Sequence, residues 1–169
     1  YWRGFVLYNS SWDADFAHCQ ILYAGAQDDY GSRRALHVAG ASNVSISNSL
    51  IQYSYGDGIT CTDMQTSDIM TIANLTMADL GWSGYVANNA PYFSLTVNGL
   101  SISNIGGAPI SCSADLLDSF TGVSISSAAN PYILISSAYQ THSATWPNFG
   151  LPYKLNNWLM VNDWVTLNL

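Results

Sequence analysis

The feature that most restricts what this chain can fold into is self-similarity at a spacing of about 25 residues. Leu50, Leu75 and Leu100 form one column at that step. Gln52, Met77 and Ile102 form a second, Tyr55, Leu80 and Ile105 a third, and Gly56, Gly81 and Gly106 a fourth. Columns that hold one register across three units mark a repeat architecture. In such a fold each unit is a thin layer that cannot bury its own apolar face, and stacking supplies the core.

Each unit reads as three short strands joined by corners. Val44-Ser-Ile46, the run from Ile69 to Ile72, and Phe93-Ser-Leu95-Thr-Val97 alternate apolar and polar residues, the period of a strand. Polar corners follow at Ser47-Asn48-Ser49, Ala73-Asn74 and Asn98-Gly99. A second strand, such as Leu100-Ser-Ile102-Ser103, runs to the glycine column. A third lies beyond it in Ala35 to Val38, Gly58 to Cys61, Tyr85 to Ala87 and Pro109 to Cys112. Looser rungs flank these, from Trp12 to Ala24 with an insertion at Gln27 to Arg34, and from Asp118 to Ser126. The expectation is a right-handed parallel β-helix of about five rungs over residues 1–128. An irregular connector over 129–149 and the start of a further β-helical segment over 150–169 would follow. A leucine-rich repeat has a similar period. It needs Asn at one fixed place, whereas Asn48 and Asn98 lie two residues before the leucine column and Asn74 lies one before it.

Composition supports an all-β chain. Only 9% of residues are charged, and the acidic ones are eleven Asp with no Glu. Lys and Arg total four, which leaves little with which to cover helices. A net charge of −7 argues against nucleic acid and anionic membrane surfaces as partners. No apolar run reaches the roughly 18 residues of a membrane-crossing helix. The chain starts at Tyr1 with no visible signal peptide and is expected to be a mature or excised segment. Cys19, Cys61 and Cys112 show no CxxC spacing and read as apolar packing residues rather than zinc ligands or a disulfide framework.

These motifs resemble those of the right-handed parallel β-helix repeat proteins of microbial surfaces. Trp2-Arg-Gly-Phe5 followed by Phe16-Ala-His-Cys-Gln-Ile-Leu-Tyr-Ala24 is similar to the opening rungs of that family. Asn43-Val-Ser-Ile-Ser-Asn48 with Gly56-Asp-Gly-Ile59 is similar to a later rung. Gly150-Leu-Pro-Tyr153 and Val161 to Leu169 look like the beginning of another such helix. The resemblance implies asparagine corners stacked into side-chain ladders and is nearly silent about function. A charge-poor array rich in Ser, Asn and Tyr, with uncapped terminal rungs, reads as a stalk, sheath or filament whose partners are other copies or adjoining segments of a longer chain.

Candidate sites are few. Asp28, Asp29, Arg33 and Arg34 form the one charged cluster and read either as a glycan or cation loop, with Ca²⁺ the suited ion, or as a solvated loop in charge balance. No other cofactor is expected. Tyr30, Tyr53, Trp82, Trp146, Trp158 and Trp164 are candidates for aromatic contact with sugar or protein. Asn9, Asn43 and Asn74 open N-glycosylation sequons. His18, His37 and His142 are widely separated and give no triad or metal spacing. Glycoside hydrolysis needs paired carboxyls, for which Asp28, Asp29, Asp57 and Asp63 are the candidates. The sequence therefore points to a non-enzymatic extracellular structural or adhesive solenoid, with a module that binds or degrades acidic glycans as the alternative.

Overall fold

Successive turns of the backbone hydrogen-bond to the turns above and below them, always in parallel. The computed structural model describes residues 1–8, 13–27, 33–88, 93–137 and 139–169. The first turn carries β1 (Phe5–Tyr8), β2 (Asp13–Ala17) and β3 (Gln20–Leu22). Four further turns follow: β4 (Arg34–Ala39) with β5 (Asn43–Gln52), β6 (Asp57–Thr62) with β7 (Ile69–Leu80), β8 (Tyr85–Ala87) with β9 (Ser94–Ile105), and β10 (Ile110–Ser113) with β11 (Phe120–Ile125). A short 3₁₀ helix, Ala114–Ser119, joins the last two. One sheet stacks β1, β4, β6, β8 and β10, and the other stacks β2 and β3, β5, β7, β9 and β11. β1 to β11 thus form about five turns of a parallel β-solenoid, as the repeat implies.

The long strands β5, β7 and β9 are each bent near the middle at a left-handed residue. His18, Asn48, Asn74, Gly99 and Gly122 have φ of 55°, 49°, 53°, 79° and 61°. Their neighbours Ala17, Ser47, Ala73, Asn98 and Thr121 pair in register, so the five sit one above another. Asn tolerates this conformation and glycine adopts it freely. The Asn74 amide also donates to the Asn48 side-chain oxygen at 3.1 Å, the ladder that the family resemblance implies. A second left-handed column of Tyr23, Tyr53, Asp79 and Asn104 turns the chain again where these strands end.

The interior is filled by columns of alternate residues. Leu36, Ile59, Tyr85 and Ile110 stack in the first sheet, each with no exposed surface. Ile46, Ile72, Val97 and Phe120 stack, buried, in the second. Cys61 and Cys112 are fully buried among them, and burial pushes the Cys61 thiol up to about 12, so it packs as an inert apolar residue.

Two expectations are corrected. The first concerns register: the leucine column is not continuous. Ser49, Leu75 and Leu100 are partners, as are Ile51, Met77 and Ile102, so the step from the second turn to the third is one residue longer than the next. A slip of one residue would turn every side chain over, and burying Ile51 with Met77 and Ile102 decides the matter. Gly81 accordingly lies over Tyr55, while Gly106 lies over Gly81. A Cβ at Gly81 would approach the Tyr55 carbonyl oxygen to 2.2 Å, and one at Gly106 the Gly81 oxygen to 2.2 Å, so both positions exclude a side chain.

The second concerns residues 129–149, which continue the stack rather than forming an irregular connector. β12 (Ile133–Ser137) pairs with β10, and β13 (Tyr139–Gln140) and β14 (Ala144–Thr145) complete that turn. β15 (Tyr153–Leu155), β16 (Met160–Val161) and β17 (Leu167–Asn168) then pair with β12, β13 and β14, so 150–169 is the next turn of the same solenoid. Asp115, buried in the 3₁₀ helix, ties the two parts by accepting the Thr141 backbone N–H and hydroxyl, each at 2.6 Å.

If the left-handed corner sets the cost, Asn74→Ala lowers unfolding stability by about 1–2 kcal/mol and Asn74→Gly recovers most of that, read by urea denaturation. Equal losses would place the cost in the amide ladder instead.

Candidate functional site

The outer face of the first sheet is built by one column of outward residues: Val6, His37, Thr60, Val86, Ser111, Leu134 and Lys154. Turns preceding the strands project Trp82 and Tyr132 beside this column. Together they enclose an open groove of about 480 Å³, lined by Asp57, Trp82, Ser83, Asn88, Ser111, Tyr132 and Leu134 among others. The Ser111 hydroxyl donates to the Asn88 side-chain oxygen at 3.0 Å, which leaves the Asn88 amide hydrogens for other acceptors.

Cations stand on both aromatic rings of the groove. The Arg33 guanidinium lies 4.4 Å from the Tyr55 ring centre and 5.7 Å from that of Trp82, and it donates to Gln27 Oε1 at 3.1 Å. The Lys154 ammonium lies 4.5 Å from the Tyr132 ring centre. Arg34, partner of Asp57 in the strand register, places one guanidinium nitrogen 2.8 Å from His37 Nδ1 and 3.2 Å from Nε2. His37 Nε2 also lies 2.9 Å from the Thr62 hydroxyl. Arg33, Arg34 and Lys154 are three of the four basic residues in the chain. In a chain of net charge −7, Arg33 and Lys154 thus stand against the two rings that line the groove.

Asp57 is the groove's one carboxyl among the described residues. It accepts the Ser83 N–H at 2.9 Å and the Thr60 hydroxyl at 3.3 Å. Burial nevertheless raises its carboxyl above the ordinary 3.8, outweighing those hydrogen bonds and the Arg34 charge. Among the described residues no group of three or more His, Cys, Asp or Glu could hold a metal ion.

The sequence candidates separate in space. Trp82 lines this groove with Arg33 against its ring, Arg34 lies against His37, and Asp28, Asp29, Tyr30 and Asn9 lie outside the described residues. Tyr53 lies in a neighbouring cleft. Trp146 is corrected as a contact residue: it is 5% exposed, its indole N–H donates to Gln140 Oε1 at 3.0 Å, and its ring packs on Tyr153. Trp158 is exposed and meets Tyr139 edge-on, and Trp164 is fully exposed, both on the final turn and away from the groove. Asn43 is exposed with its amide donating to Asp13, and Asn74 belongs to the corner ladder. Asn88, Ser111, Tyr132 and Lys154 were not legible as site residues, because only the stacking of turns brings them together.

Compared with protein-family models, curated proteins and solved structures, the chain finds no match.

The sign of the Asp57 shift predicts a pH effect. A carboxyl whose folded value is raised stabilises the fold at acid pH and loses that contribution as pH rises through the raised value. Asp57→Asn is therefore expected to be more stable than the parent at pH 7, with the difference closing below about pH 4, as read by urea midpoints. A variant less stable at pH 7 would show that the ionised carboxylate supports the fold.

Proposed function

We propose that this chain is an extracellular, non-catalytic adhesive scaffold that holds an acidic polysaccharide along the outer face of its first sheet. The observation that carries the reading is the pair of cation-bearing aromatic rings, Arg33 on Trp82 and Lys154 on Tyr132, at the groove. Trp82 and Tyr132 lie in turns two rungs apart, ~10 Å at the strand spacing of a sheet, about the length of a disaccharide. Aromatic faces suit the apolar face of a sugar ring, and fixed guanidinium and ammonium groups suit its carboxylates. The Asn88 amide, whose oxygen is held by the Ser111 hydroxyl, supplies a directional donor between them. A stacked solenoid is rigid enough to present such a groove without ordering loops on binding.

A second reading, cleavage of the same polymer, is favoured by Asp57 alone. Glycoside hydrolysis uses two carboxyls roughly 5–10 Å apart, and Asp57 is the one carboxyl that lines the groove among the described residues. The adhesive reading therefore has the stronger support.

Affinity electrophoresis through polygalacturonate and through a neutral glucan tests the proposal. Retardation by the acidic polymer, weakened at least tenfold in Trp82→Ala and in Lys154→Gln and reduced by salt, is the expected result. Equal retardation by the neutral glucan, or none by either, would sink it. Shortening of the polymer, lost in Asp57→Asn, would favour the catalytic reading.

A further inference from the structure

A second concavity lies on the flank where the second left-handed column turns the chain. Tyr23, Tyr53, Asp79 and Asn104 occupy equivalent places in four successive turns, following the paired residues Leu22, Gln52, Ala78 and Ser103. Beside them the side-chain-free backbone of Gly81 and Gly106 forms a floor, and Tyr1 and Tyr55 close one end. The cleft measures about 600 Å³. Tyr1 meets Tyr23 at 6.4 Å and Tyr55 at 5.8 Å, both edge-on, and Tyr23 stacks on Tyr53 at 5.1 Å. All four rings are exposed, from 40% at Tyr53 to 73% at Tyr1.

We propose that this cleft binds a compact organic cation, a quaternary or methylated ammonium group, between the tyrosine rings and the Asp79 carboxylate. Three observations converge on that class. Aromatic faces attract cations through the ring quadrupole, and Arg33 already occupies Tyr55 in this way. Asp79 stays ionised, because hydrogen bonds from Gln52 and Asn104 hold its carboxyl below the usual range. Each of its oxygens accepts one amide hydrogen and keeps a further lone pair, so it borders the cleft as a fixed negative charge. That charge favours a cation over a neutral sugar, and the tyrosine faces favour one with a methylated surface.

The third observation is the backbone. Tyr23 and Tyr53 hold φ of 56° and 58°, a conformation that Asp79 and Asn104 accept readily and that strains a bulky aromatic residue. Two adjacent tyrosines held at strained corners mark a place where the rings serve something besides folding.

Titration with choline and with its neutral isostere 3,3-dimethylbutanol, followed by NMR of the whole chain, tests the assignment. Choline is expected to shift the tyrosine resonances and bind at least tenfold more tightly than the isostere. Asp79→Asn, which suits the left-handed backbone, should abolish that preference. Tyr53→Asn should keep or raise the thermal midpoint while weakening choline at least tenfold. Equal binding of the isostere, or undiminished choline binding by Asp79→Asn, would overturn the proposal whatever the acidic-polysaccharide result. Phosphatidylcholine vesicles and a trimethyllysine peptide then separate the sources. Binding of either identifies a lipid headgroup or a peptide, and binding of free choline alone identifies a soluble ammonium compound.

Discussion

The hydrogen bond between one turn's backbone and the next fixes everything else in this molecule. Because every named strand pairing is parallel, each residue has one partner above and one below, and side chains fall into columns along the axis. A parallel stack with short turns needs sharp corners that repeat at the same place. The left-handed residues Asn48, Asn74, Gly99 and Gly122 supply one such corner, and Asp79 and Asn104 continue another. With corners fixed, inward positions are fixed too, and the apolar columns follow. No helix among the described residues is long and apolar enough to cross a membrane. The core is mostly sheet, completed by turn residues such as Met64 and Phe93 and by the 3₁₀ segment that carries Asp115.

The same constraint builds the groove. Arg33 and Trp82 are far apart in the chain, as are Tyr132 and Lys154, yet stacking places each cation on its ring. Asp57 and Arg34 are register partners. Burial of the Asp57 carboxyl and the charge of its neighbour act in opposite directions, and burial prevails. The groove is a consequence of outward columns meeting the turns that lead into them. Gly81 and Gly106 contribute differently, since the backbone approach that forbids a Cβ there also leaves the tyrosine cleft an open floor.

Much of this was legible in the residues. Alternation in Val44 to Ile46 and Phe93 to Val97, and the polar corners after them, located strands and bends correctly. The register was misread by one residue because Leu50 and Leu75 are the same residue type, and identity suggested a column that the backbone does not form. Asn48 and Asn74 held the corrective clue: they are true partners, and their unequal distances from those leucines reflect the slip. Residues 129–149 defeated pattern reading because strands such as Tyr139–Gln140 and Ala144–Thr145 are too short to show alternation. Trp146 looked available because it sits among turn residues, and only the fold shows Gln140 and Tyr153 closing over it. The tyrosine cleft was invisible because Tyr1, Tyr23 and Tyr55 do not share the repeat spacing.

If acidic polysaccharide engages the outer face of the first sheet and no other part of the solenoid, ¹⁵N-resolved NMR of the chain titrated with a short oligogalacturonate reads it directly. Shifts are expected to concentrate on the Trp82 indole N–H, the Asn88 side-chain amide and the Ser111 backbone. The turns bearing Asn48 and Asn74, on another side of the coil, should remain unmoved. Shifts centred on the Asn48 and Asn74 corner, or spread evenly around the coil, would contradict it.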